Sequence, residues 1–175
     1  MSTWKIDNMH SQVQAKIKHL MVTTVTAGFG KFDAVMETSK DDFTDAKITF
    51  EADAASITSG NEHRDNHLRS DDFFNAEKYP KLKFVSTAIK KIDNGHYKLD
   101  GQLTIRDNTK PISLDVAYGG TVNNPYGMTV AGFDITGKLN RKEFGLKWYA
   151  ATEAGQIVVS DEVKLDITVE MVKQG

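Results

Sequence analysis

Cysteine is absent from this 175-residue chain. Its absence excludes a disulfide scaffold, a thiolate-held zinc or iron–sulfur centre, and thiol catalysis. No apolar run approaches the ~18 residues that a transmembrane helix requires. Charge of one sign is not in excess either. There are 22 lysines and arginines against 24 aspartates and glutamates, for a formal net charge of −2. Without a basic block, nucleic acid is not expected as the main partner. The opening residues, MSTWKID, carry neither an apolar signal core nor a cleavage-site pattern. The compartment expected from that start is the cytoplasm, or the periplasm if a signal peptide has been removed. Catalytic signatures are missing as well: there is no G-x-S-x-G, no Walker A sequence and no H-E-x-x-H.

What remains is dominated by period two. In QVQAKIKHL, Val13, Ala15, Ile17 and His19 share one face, and Gln12, Gln14, Lys16 and Lys18 the other. Phe32, Ala34 and Met36 alternate with Asp33, Val35 and Glu37, and Ile48, Phe50 and Ala52 with Thr49, Glu51 and Asp53. The same alternation runs from Leu82 to Ala88, Tyr97 to Ile105, Ile112 to Tyr118, Thr129 to Leu139 and Val163 to Met171. Such patterns mark half-buried antiparallel strands. Asp93-Asn94-Gly95 reads as a hairpin turn, and Asn123-Asn124-Pro125-Tyr126-Gly127 as a further loop. Roughly eight strands follow, several longer than the ~5–6-residue mean. Long, evenly spaced strands favour a closed barrel, which removes exposed edges. The expected fold is all-β, an extended antiparallel eight-stranded barrel forming one domain over residues 1–175. A chain of this length buries a core without staples and leaves room for a ligand cavity.

One segment breaks the period. Residues 59–75 are polar, with Leu68, Phe73 and Phe74 as the apolar exceptions. NEHRDNHLRS predicts a short helix, capped by Asn61 or Ser59 and followed by Pro80. A polar insertion ending in aromatics suits a lid over one mouth of a barrel.

The polar residues admit several readings. Gly28-Phe29-Gly30 resembles the start of a dinucleotide fingerprint, but a strand pattern follows it, so a tight hairpin is expected. His63 and His67 share a helical face and, with Asp65 or Asp71, could ligate zinc. Solvated surface is the simpler reading, and no metal is expected. Asp65, Asp71, Asp72 and Glu77 would serve as paired carboxylates only across a defined cleft. Otherwise they are salt-bridged rim residues. His19 shares the apolar face with Ile17, and there it is either a satisfied structural histidine or a polar contact to a ligand. Small residues on inward faces, namely Ala15, Ala52, Gly101, Ala131 and Gly137, would leave space inside.

Taken together, the motifs resemble the YceI-like family. Trp4-Lys5-Ile6-Asp7 with His10-Ser11-x-Val13 and His19 is similar to that family's opening. Gly28-Phe29-Gly30-Lys31-Phe32 follows. The most specific match is Ala55-Ser56-Ile57 with Arg64-Asp65-x-His67-Leu68-Arg69-Ser70-x-Asp72-Phe73-Phe74, continuing into Tyr79-Pro80-x-Leu82-x-Phe84. Gly101-x-Leu103-Thr104-Ile105, Thr109-Lys110-Pro111 and Arg141-x-x-Phe144-Gly145 complete the series. Arg106 followed by Asp107-Asn108 departs from the basic-then-glycine pattern common there, so that turn is expected to differ.

The resemblance implies a lipocalin-like barrel with a hydrophobic tunnel for a polyisoprenoid, a quinone tail or another long-chain amphiphilic lipid. It implies non-enzymatic carriage or storage, no cofactor, a homodimer and no stable membrane insertion. Expected tunnel residues are Ile17, His19, Phe29, Phe32, Phe50, Phe73, Phe74, Phe84, Ile105, Phe133, Ile135 and Trp148. Expected head-group contacts are His19, Arg64, Asp65 and Arg69. The alternative is an enzyme acting on such a lipid, with His19 or His67 as acid–base.

Overall fold

A computed structural model describes residues 1–150 and 158–175. The alternating stretches form eleven strand segments: β1 (Ser2–Ile6), β2 (Gln12–His19), β3 (Thr23–Phe29), β4 (Phe32–Thr38), β5 (Lys47–Asp53), β6 (Ile57–Thr58), β7 (Lys81–Asp93), β8 (His96–Ile105), β9 (Asn108–Asn123), β10 (Thr129–Asn140) and β11 (Val159–Lys173). All pairings are antiparallel, and a β1–β11 pairing closes the sheet on itself. The eleven segments make eight barrel strands. A 3₁₀ turn at Asn8–His10 separates β1 from β2, and another at Ala54–Ser56 separates β5 from β6. β3 and β4 form one strand bent at Gly30-Lys31, since β2 pairs with β3 while β1 pairs with β4. The hairpin expected at Gly28-Phe29-Gly30 is therefore not formed. Closure leaves few unpaired edges, which is what long apolar-faced strands require.

Local chemistry sets the connections. Gly95 adopts φ +91 in the β7–β8 hairpin, a conformation its missing Cβ permits. In the β9–β10 loop, the Asn124 side chain accepts from the N–H groups of Tyr126 and Met128, an Asx turn. Among the described residues the one α-helix, α1, spans Glu62–Arg69, and Asn61 caps it by accepting from Arg64 N at 2.9 Å.

The interior is packed unevenly. Phe84, Tyr97, Leu99, Leu114 and Val116 are buried together on the β7–β9 wall. Two glycines serve this packing. A Cβ on Gly137 would lie 2.5 Å from Leu114 Cδ2, and one on Gly101 would overlap the Phe84 ring. Gly101 and Gly137 thus make room for neighbouring side chains, not for a ligand as the sequence suggested. Ala52 and Ala131 are likewise packed, at 1% and 0% exposure. On the opposite wall the inward residues Ile17, Phe29, Ile135, Leu139, Val163, Leu165 and Ile167 are only half-buried. They border open space inside the barrel, and Ile135, Leu139 and Leu165 also pack against the β7–β9 cluster.

Candidate functional site: an apolar cavity with a lid

That space is a cavity of about 260 Å³. Its walls are aliphatic and aromatic; among the described residues, Tyr97 and Arg141 are the only lining residues that carry a side-chain N or O atom, and almost no polar atom faces inward. Tyr97 donates its hydroxyl to Asp42 O at 2.6 Å, and burial pushes its pKa up. Arg141 is 1% exposed and donates to the carbonyls of Ser160 (2.9 Å), Leu146 (2.6 Å) and Val159 (3.4 Å). Burial draws its pKa down, and Asp161 opposes that. Both polar groups are satisfied by the chain itself, so what they present to the cavity is apolar.

One end is closed. Phe43, in the β4–β5 loop, is 3% exposed and lines the cavity. Trp4, Tyr118 and Phe133 surround it at ring-centroid distances of 5.4–5.7 Å. Phe43 sits at φ +62, unusual for a bulky residue. Asp45 holds that loop by accepting from Thr38 Oγ1 at 2.6 Å, from the Ser39 hydroxyl, and from Ser39 N and Lys40 N. These bonds, the Ser39 hydroxyl first, bring its pKa well below the usual carboxylate range. From Phe133 near this end to Leu139 near the other, β10 runs about 20 Å at ~3.3 Å per residue.

The second end carries the 59–75 insertion. Phe73, Phe74 and Leu68 line the cavity, and Phe29 meets Phe74 edge-on at 5.9 Å. The charges of this segment act as fasteners. Asp65 accepts from Ser59 N (2.7 Å), Ser59 Oγ (2.6 Å) and Thr58 Oγ1 (3.0 Å). Burial alone would raise its pKa, but these bonds and the nearby Arg69 outweigh it, and the pKa is lowered. Arg64 donates to Ser59 Oγ and O, and Arg69 to the carbonyls of Ile57 and Ala55. His67 meets Asp72 at 2.8 Å and packs edge-on against Phe73 and Trp148. Arg106, from the β8–β9 turn, donates to Asp71 O (2.7 Å), Phe73 O (2.9 Å) and Asp71 Oδ1 (2.8 Å), with its guanidinium over the Tyr79 ring.

The expected tunnel residues divide accordingly. Ile17, Phe29, Phe50, Phe73, Phe74, Phe84, Ile105, Phe133 and Ile135 line the cavity. Phe32 is buried beside it, with its ring 6.4 Å from Phe50. Trp148 lies outside it, against Phe73 and His67. His19 is exposed. It does alternate with Ile17, but β2 has passed the barrel rim by that point, so no wall encloses it. Arg64, Asp65 and Arg69 do not line the cavity, and their polar atoms bind the chain. Two residues on which the architecture depends, Arg141 and Phe43, were not singled out, and Arg106 was marked only for the turn it opens. Arg141 stood within a quoted motif, but nothing in its own spacing marked it as buried.

This barrel matches known proteins along its length. The family model for the YceI-like domain matches residues 4–171. The chain belongs to the YceI-like family. A UPF0312 protein of Staphylococcus epidermidis is 37% identical over 171 residues, covering 97% of both chains. Among solved structures, this YceI-like chain is similar to the Campylobacter jejuni YceI protein, at 34% identity, TM-score 0.76 and 90% coverage of each chain. Burkholderia cenocepacia BcnA superposes with TM-score 0.81 at 23% identity, over 94% of this chain and 98% of that one. A polyisoprenoid-binding domain from Saccharophagus degradans shares the fold, at TM-score 0.68 and 12% identity, over 98% of both. The eight-stranded lipocalin-like barrel is thus the family fold.

Among the described residues of this YceI-like protein, one trio has metal-ligand chemistry: Asp7, His10 and Glu170. His10 Nδ1 lies 2.8 Å from Asp7 Oδ2 and 3.8 Å from Glu170 Oε2, so the cluster pairs internally. Their hydrogen bond raises the His10 pKa and lowers that of Asp7. His63 and His67 do not join such a group: His63 is exposed and His67 pairs with Asp72.

Proposed function

We propose that this protein binds a long-chain amphiphile, of the polyisoprenoid kind, and carries or stores it. The tail occupies the cavity and the head group sits at the lidded end. The observation that carries the reading is the lining: a nearly wholly apolar cavity inside a closed barrel. A hydrocarbon tail asks for nothing else. Each buried methylene contributes about 0.8 kcal/mol, against which ordering of the tail must be set. The same lining supports binding over catalysis, since no histidine or carboxylate reaches it among the described residues. The family relationship supports it too, because a neighbour of the same fold is described as a polyisoprenoid-binding domain. His19 belongs to the proposal as a rim contact for the head group, given its place one alternation beyond Ile17. Arg64, Asp65 and Arg69 belong to it as the residues that position the lid. The homodimer is part of the proposal as well, and sedimentation velocity tests it.

Native mass spectrometry of protein purified without detergent, followed by organic extraction, tests the reading. We expect a stoichiometric long-chain species, or tight binding of prenyl alcohols by lipid-free protein. Phe74→Asp should reduce that binding at least tenfold, because it places a charge on an apolar wall. Lipid-free protein that binds neither prenyl nor acyl amphiphiles would overturn the reading.

A further inference from the structure

The β2–β3 turn is built from residues that a turn of this kind does not favour. Val22 N donates to His19 O at 3.1 Å, and the two central residues, Leu20 and Met21, have φ +53 and +60. Positive φ at both central positions gives residues 19–22 the signs of a type I′ turn, which favours Asn-Gly, and the His19–Thr23 pairing leaves Val22 as a third loop residue. Bulky apolar residues are disfavoured there. Two of the three apolar side chains are not used for packing: Met21 is 58% exposed and Val22 74%, while Leu20 is half-buried. Folding alone would choose neither the residue types nor their exposure.

The turn's position gives it a use. It projects beyond Ile17 and Val163, paired residues that line the cavity on β2 and β11. Leu20 N bonds to Val158 O, and Val158 N to Ala150 O, so the 149–150 segment lies alongside. Tyr149 there is 55% exposed, with Lys142 Nζ 5.3 Å from its ring centre. Lys142 also pairs with Asp161, which lies 3.7 Å from the buried Arg141. Lys18, His19 and Lys147 are exposed on the same two segments. A narrow aliphatic tip, a tyrosine with a polar end, and flanking lysines match the layers of an anionic bilayer surface: acyl chains, interface and phosphates.

We infer that Met21 and Val22, at the tip of the turn that Leu20 opens, form a finger that enters an anionic lipid bilayer and brings the adjacent cavity end to the membrane. This inference rests on the lipid-binding reading for its purpose, since a long-chain amphiphile is drawn from a membrane and returned to one. The binding surface itself is separately testable.

The test is flotation of the full-length protein with vesicles of phosphatidylcholine containing about 30 mol % phosphatidylglycerol. The wild type is compared with the double variant L20N/M21G, which installs the favoured turn. Wild type should float with the anionic vesicles and do so several-fold less with phosphatidylcholine alone. L20N/M21G should lose at least about tenfold of vesicle binding. It should also melt about 2–4 °C higher, which rules out misfolding as the cause. Lys18→Glu combined with Lys147→Glu should weaken binding to the anionic vesicles only. Prenyl alcohol binding in solution should be equal in wild type and L20N/M21G, while extraction of that alcohol from vesicles slows in the variant. Equal vesicle binding by wild type and L20N/M21G, or no vesicle binding by a wild type that holds the soluble amphiphile, overturns the finger. Vesicle binding with no amphiphile uptake leaves the finger standing and removes the lipid-carrier reading instead.

Discussion

At Gly101 a single hydrogen decides how the barrel wall packs. The Phe84 ring lies where a Cβ would be, and Val85 O is close behind it. Gly101→Ala should destabilise the fold by about 1–3 kcal/mol through overpacking. Chemical denaturation with an unchanged m-value would show it; an unaltered midpoint would mean that the Phe84 ring moves aside freely. Asp65 decides the lid in a similar way. It is 6% exposed and accepts three hydrogen bonds. Asp65→Asn should cost about 1.5–3 kcal/mol, the usual value of bonds to a charged group. The sign with pH follows from the lowered pKa. The carboxylate's contribution is complete above the unfolded value of about 3.9, and it is lost as pH falls through the lower folded value. Melting curves of wild type and Asp65→Asn should therefore stay a constant distance apart at neutral pH and converge in acid. A difference that grew in acid would contradict the assignment.

The lid element is held from two directions. Its own charges bind it to β6 and the preceding turn. Arg106 binds it from the β8–β9 turn, where Arg106 has φ +56. This is the turn at which the sequence departs from the basic-then-glycine pattern of the family. Arg106→Ala should leave the barrel folded but release Asp71–Phe73, so that amide hydrogen exchange at residues 68–76 rises severalfold while β8–β10 stay protected. Unchanged protection would mean that Arg64, Asp65 and Arg69 suffice. The polar residues of this segment were legible as polar and the helix as a helix. Their partners were not, because they lie in β6 and in a turn some thirty-five residues away. The strands were legible for the converse reason: alternation is local, and each register follows once one face must be buried.

For the whole molecule, closure and hollowness are coupled. Eight strands define a circumference whose interior can be filled by side chains or can hold one ligand. Here the cavity is lined by β7–β9 as well as by β2, β10 and β11, and the β7–β9 residues are the more deeply buried. Phe43 ends the cavity at one side. Phe43→Ala should extend it there, so that the variant binds longer prenyl chains than the wild type accepts. Its stability should fall by about 3–5 kcal/mol, the usual penalty for a deleted buried ring. A variant whose chain-length preference matches the wild type would show that the cavity ends elsewhere.

The sequence by itself determined the class of fold, the strand faces, the hairpin at Gly95, the short capped helix and the family. Each depends on residues near one another in the chain, or on an ordered series of motifs. Tertiary structure alone decided that His19 lies beyond the rim, that Gly101 and Gly137 serve Phe84 and Leu114, that Arg141 is buried on carbonyls, and that Phe43 closes one end. The cavity too was decided there. Alternation states which side chains point inward but not how far apart the facing walls stand, and that separation is what determines whether inward residues meet or leave space.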